Sequence, residues 1–149
     1  FIKYGLPNGA KILPIFTESK HRIDFVSAIR YYSYKPVLFS FKDICHILYD
    51  SQSLLPEWIK SRDALNVITS ETSGHQRARK IAALGSQLNA DYIVTDLPLS
   101  VKHILTIGEQ SYGDGHFLII RVNRRESLRK NYALTTNPRL ELQEIIHDL

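Results

Sequence analysis

The chain has 149 residues, 44% hydrophobic and 23% charged, with seven Gly and six Pro spread along it, which excludes collagen-like, low-complexity and largely disordered chains and suits one core of ordinary size. Nineteen Lys and Arg against fifteen Asp and Glu leave a net charge of +4, an excess that permits a polyanionic partner without demanding one. Cys45 is the single cysteine, so neither an intrachain disulfide framework nor an all-cysteine zinc site can form, and a reducing, cytoplasmic setting fits.

No apolar run reaches the roughly 18 residues that a membrane-spanning helix needs. Methionine is absent and Phe1 opens directly into Ile2-Lys3-Tyr4, from which we expect residues 1–149 to form a single domain of a longer chain. Short apolar runs of β type recur, each followed by helical spacing or helix-start signals. The first is Lys11–Phe16; behind Ser19, the spacing of Ile23, Val26 and Ile29 predicts a helix, although Phe25, Ile29 and Tyr31 also suit a strand. The second, Pro36–Phe41, leads to Ile44, Ile47 and Leu48 on one helical face. Cys45, beside Ile44, reads as a buried small hydrophobe. Leu54, Leu55, Trp58 and Ile59 continue as helix past a break near Asp50-Ser51.

The third run, Leu65–Thr69, predicts a strand, and Ser73 with Gln76 has capping-box spacing before a helix marked by Ile81, Leu84 and Leu88. The fourth, Asp91–Thr95, is followed by Pro98 at a helix start, by Val101, Ile104 and Leu105 on its apolar face, and by Gly108 as its stop. A turn over Ser111–Gly115 precedes the fifth run, Phe117–Val122. Asn137-Pro138 then starts a terminal helix whose Leu142, Ile145, Ile146 and Leu149 form a stripe suited to packing on this domain or on a partner, a second copy included.

Alternating, continuously apolar strands predict a three-layer Rossmann-like α/β domain with a mainly parallel five-stranded sheet. Right-handed crossovers would gather the strand-to-helix junctions along one edge, where α/β proteins bind ligands. Glu18, Asp43, Glu71 and Asp96 stand at or just past the first four strands. Gathered together, they would repel one another until a divalent cation such as Mg²⁺ or Mn²⁺ bound them, and such an ion can activate water against a phosphodiester. Acidic residues are also favoured in the first turn of any helix, a competing account for each of the four. Asp96 is the strongest candidate.

The segment Asp91-Tyr92-Ile93-Val94-Thr95-Asp96-Leu97-Pro98-Leu99-Ser100, with Ile104-Leu105 and Gly108 behind it, resembles the late strand and helix of PIN-like nucleases. That resemblance implies a Rossmann-like sheet and a cluster of carboxylates holding Mg²⁺ or Mn²⁺ for RNA cleavage, with Asp96 as a metal ligand and Thr95 as its polar neighbour. PIN-like domains carry an aspartate at the end of strand one, where this chain has Phe16-Thr17-Glu18. A second segment, Phe39-Ser40-Phe41-Lys42-Asp43-Ile44-Cys45-His46-Ile47-Leu48, resembles the Phe-x-x-Lys-Asp-Val-x-x-x-Leu stretch of BRO-N-type domains of phage and viral antirepressors, which implies non-enzymatic DNA binding.

Charge points the same way. Between residues 121 and 130 stand Arg121, Arg124, Arg125, Arg129 and Lys130 against Glu126 alone, a stretch able to track a nucleic-acid backbone, with Tyr132 available for stacking. The polar turn Thr69–His75 offers helix-start N–H groups to a phosphate, with Arg77 and Arg79 adding charge; it matches neither a P-loop nor a dinucleotide fingerprint. His75 is a candidate proton donor near the edge, while the six histidines show no zinc spacing. We therefore expect a nucleic-acid-binding domain acting on RNA or DNA, a metal-dependent ribonuclease in its catalytic form, with a DNA-binding module or an assembly domain as the alternatives.

Overall fold

The computed structural model describes residues 2–17 and 24–123. The expectations for Glu18, for Ser19 and Ile23, for Arg124, Arg125, Arg129 and Lys130, for Tyr132 and for the terminal helix lie outside the described residues. The element order is α1 (Ile2–Gly5), β1 (Ile12–Ile15), α2 (Val26–Ser33), α3 (Asp43–Asp50), a 3-10 turn (Gln52–Leu54), α4 (Leu55–Ser70), α5 (Gly74–Gln87), β2 (Tyr92–Thr95), α6 (Val101–Ile107), β3 (Gly108–Gly113) and β4 (Leu118–Val122). No helix among the described residues is long and apolar enough to cross a membrane.

The mainly parallel five-stranded sheet is not formed. Four strands lie in the order β1-β2-β4-β3, and only β1 and β2 run parallel, while β4 is antiparallel to both of its neighbours. Each departure has a local cause. Residues 36–38 begin a parallel ladder on β1, with the Ile12 N–H donating to the Pro36 carbonyl at 2.8 Å and the Leu38 N–H to the Ile12 carbonyl at 2.9 Å. The next donor along β1 would be Pro14, which has no N–H, so pairing stops at one bridge. Phe39 and Phe41 instead pack on Trp58, whose indole N–H donates to the Ser40 carbonyl at 3.2 Å.

The run Leu65–Thr69 is the last part of α4 rather than a strand. Pro56 occupies the first turn of that helix, and Leu65 and Ile68 are its buried residues, so a short apolar run that fits either period is claimed by the longer helix around it. At the other end, α6 passes directly into β3 at Gly108. A Cβ at that position would lie 1.8 Å from the Arg121 carbonyl oxygen, so only glycine lets the helix end meet β4 this closely. β3 is wholly polar and exposed after Gly108, which hid it from an apolar pattern. It lies parallel to β2, two places away, and the β3–β4 hairpin folds β4 back into the gap.

Helices cover both faces. One core joins Leu13, Ile15, Ile93, Ile120 and Val122 of the sheet to α4, α5 and α6; the other joins Ile12, Tyr92, Val94 and Ile119 to α1 and α2. Alternate strand residues thus feed opposite layers. Ser73 caps α5, accepting the Gln76 N–H at 3.4 Å, as its spacing predicts. Cys45 is exposed, not buried.

Candidate functional site

Two aspartates bracket β2 and clamp it to β1. At one end Asp91 Oδ2 accepts the N–H of Lys11 at 2.9 Å. At the other, Asp96 Oδ1 accepts the N–H of Thr17 at 2.8 Å and Oδ2 its hydroxyl at 3.2 Å. Each carboxylate thereby serves a backbone donor beyond an end of β1, Lys11 directly before the strand and Thr17 two residues past it. Thr95 is fully buried, and its hydroxyl accepts the Leu97 N–H at 3.1 Å, turning the chain out of β2.

The other members of the predicted acidic set sit elsewhere. Asp43 opens α3 and forms a bidentate pair with Arg30 at 2.7 and 3.1 Å. Glu71 follows a helix, α4, instead of a strand; its Oε2 accepts from Lys80 at 2.6 Å and its Oε1 from the Ser73 N–H at 3.0 Å. The Lys80 hydrogen bond, then the Ser73 N–H, hold the Glu71 carboxyl below its ordinary pKa. That carboxylate occupies the turn read above as a phosphate cradle, and Arg77 donates to the Glu71 carbonyl as well. Among the described residues no three His, Cys, Asp or Glu side chains gather as a metal site. Of the described members of the set, Asp43 is thus paired with Arg30, Glu71 with Lys80 and Asp96 with Thr17, and two of the four expected strands are not strands. His75 is exposed at the start of α5, which follows no strand.

The end of the sheet at Thr17 and Asp96 is packed. Phe25 stacks on Phe117 at 4.6 Å, with Phe16 edge-on to both. On the outer side of β1, Pro14, Phe39, Phe41, Leu65 and Thr69 leave a cavity of only about 10 Å³, room for no more than about one water.

Among the described residues the opposite end is open. There the turn Pro7–Ala10, Asp91, Gly108, Glu109, Arg121 and Asn123 line a groove of about 820 Å³, a size typical of ligand clefts. Arg121 alternates with Ile120 and Val122 along β4, so it stands on the face of the sheet that α1 and α2 cover, and it is exposed. Glu109 is its cross-strand partner in register. Arg79 is exposed on α5, across the sheet from Arg121. The cationic residues read from the sequence are therefore split between two surfaces.

Sequence reasoning missed the groove because its wall is a turn and a polar strand. The one available signal was Pro7-Asn8-Gly9, whose Gly9 takes φ +76. Fold and groove together define a mixed α/β domain with one closed and one open sheet end. Compared with known proteins, the chain matches no family model, no curated protein and no solved structure.

Proposed function

We propose that this chain is a nucleic-acid-binding domain that takes its polyanion at the open end of the sheet. The observation behind this is the place of Arg121: it is exposed on the groove wall, and it is the first residue of the sequence run that continues through Arg124, Arg125, Arg129 and Lys130. Guanidinium groups match phosphate oxygens in pairs, which favours arginine over lysine for this task. The partner is RNA on the PIN-like resemblance and DNA on the BRO-N-type one. Cleavage with Mg²⁺ or Mn²⁺ would rest, among the described carboxylates, on Asp96 beside Thr17, and both oxygens of Asp96 already serve Thr17.

Fluorescence anisotropy with labelled RNA and DNA over a salt series, with and without Mn²⁺, tests the reading. Five phosphate contacts on a single strand predict a log–log salt slope of about −3 to −4. Arg121→Ala should flatten that slope by about 1. Added Mn²⁺ should change neither affinity nor probe length. Affinity indifferent to salt overturns the proposal, and Mn²⁺-dependent cleavage that disappears in Asp96→Asn transfers the function to the other end of the sheet.

A further inference from the structure

The groove does not account for the sequence Arg30-Tyr31-Tyr32-Ser33-Tyr34-Lys35 at the end of α2. Tyr31 and Tyr32 are each 74% exposed and Tyr34 is 82% exposed, although a tyrosine ring ordinarily buries most of its large apolar body. Consecutive helix residues point about 100° apart, so Tyr31 and Tyr32 splay. Tyr34 lies past the helix end at φ +56, a left-handed conformation that bulky residues rarely adopt. The three rings thus fan out from one corner. A helix that docks on a protein shows instead a single stripe at i, i+3 and i+4.

The corner is held firmly from beneath. Arg30 is locked to Asp43 by two hydrogen bonds. Lys35 is only 4% exposed, and its ammonium donates to the Pro7 carbonyl at 3.2 Å. That bond fastens the corner to the Pro7–Ala10 turn, and the same turn walls the groove that Arg121 lines. Residues 20–43 hold five Lys and Arg against two Asp in sequence; of the described ones, Arg30 is paired with Asp43, Lys35 is buried and Lys42 is exposed.

We infer that Tyr31, Tyr32 and Tyr34 are a stacking platform for unpaired bases, which makes single-stranded nucleic acid the ligand of the groove. This rests on the nucleic-acid reading above and extends it from class to strandedness. The sugar–phosphate backbone follows the groove past Arg121, and the bases, free of a complementary strand, stack on the fanned rings; paired bases in a duplex have no faces to offer.

The test measures anisotropy of a labelled single strand, and of the duplex of the same sequence, on the full 149-residue chain. Wild type should prefer the single strand. The double variant Tyr31→Ala/Tyr32→Ala should lose about 30-fold or more on the single strand, the loss of two stacked bases, and stay within about twofold of wild type on the duplex. Both side chains are exposed, so folding should be unaffected, and Tyr31→Phe/Tyr32→Phe should restore binding. An equal loss on both probes, or none, overturns the platform while Arg121→Ala still reports the groove. Absence of any binding by wild type overturns both readings. A self-association seen by sedimentation and abolished in the alanine pair assigns the corner to protein contact and also overturns the platform.

Discussion

The two ends of the parallel pair β1/β2 are joined alike and surrounded differently. At each end an aspartate flanking β2 accepts an N–H from beyond β1, that of Lys11 directly before the strand for Asp91 and that of Thr17 two residues past it for Asp96. Beyond that clamp, the Asp96 end is filled by Phe16, Phe25 and Phe117, whereas the Asp91 end opens into a groove of about 820 Å³. In a doubly wound parallel sheet the carboxyl ends of the strands are where ligands bind. Here only two strands are parallel, and the rule loses its footing: once β4 folds back antiparallel, its own carboxyl end carries Arg121 to the opposite side. A carboxylate at a strand end is thus no guide to function until its hydrogen-bond duties are counted.

Changes at the open end should have the largest effects. Gly108→Ala drives a Cβ into the Arg121 carbonyl, where 1.8 Å separates them, so β3 must part from β4. We expect a loss of about 3 kcal/mol or more in urea unfolding, and near-wild-type stability would show that the junction relaxes freely. Next comes the cationic run. Replacing Arg121, Arg124, Arg125, Arg129 and Lys130 together by Ala should weaken nucleic-acid binding about a hundredfold or more at low salt without moving the unfolding midpoint. Retained affinity in that variant would return attention to the Asp96 end.

The clamps themselves allow a like-for-like comparison. Asp91→Ala and Asp96→Ala each leave a backbone N–H beyond an end of β1 without its acceptor, and each should cost about 1–2 kcal/mol of stability. If both residues are structural, the two losses should be similar and binding should survive in Asp96→Ala. A stability change confined to Asp91, with Asp96→Ala folding as wild type but losing activity, would mark Asp96 as functional.

How much of this was legible in the sequence follows from which signals are local. β1, β2 and β4, the helical nature of residues 26–33, the Ser73 cap and the Gly108 stop were all readable, because short-range pattern and capping chemistry decide them. Leu65–Thr69 was misread, since five residues fit either period and the arbiter, the helix running from Leu55, lies outside the window. Pro36–Phe41 failed as a strand through a residue in another element: Pro14 denies it the next donor. β3 carries no apolar alternation to read, and strand direction is set by the α6–β3 junction, which is a matter of tertiary geometry. The expected gathering of four carboxylates rested on four strand ends, and two of those strands are not formed. The exposure of Arg121 agrees with its place in a charged run. The Tyr31–Tyr34 corner carried an unread signal, three tyrosines between an arginine and a lysine.

The smallest effect expected is one of acid, and it too separates the ends. Thr95 pairs with Leu118 and Leu118 with Gly113, so the β3–β4 turn lies at the packed end. There Asp114 Oδ1 accepts the N–H groups of Phe117 at 2.8 Å and His116 at 2.9 Å. These two bonds, Phe117 first, hold the Asp114 carboxyl below its ordinary pKa. A carboxyl whose folded pKa is depressed binds its proton more readily in the unfolded chain, so its stabilisation is complete above the unfolded value, about 3.9 for aspartate, and fades as pH falls through the lower folded one. Amide exchange should therefore show the His116 and Phe117 N–H groups keeping their protection until the pH falls below about 4 and losing it on further acidification. Asp114→Ala should remove that acid step and leave the turn equally loose at neutral pH. Loss of protection at both ends together would mean that the sheet opens as one unit, and the contrast between its ends would then be one of packing and charge without a difference in local stability.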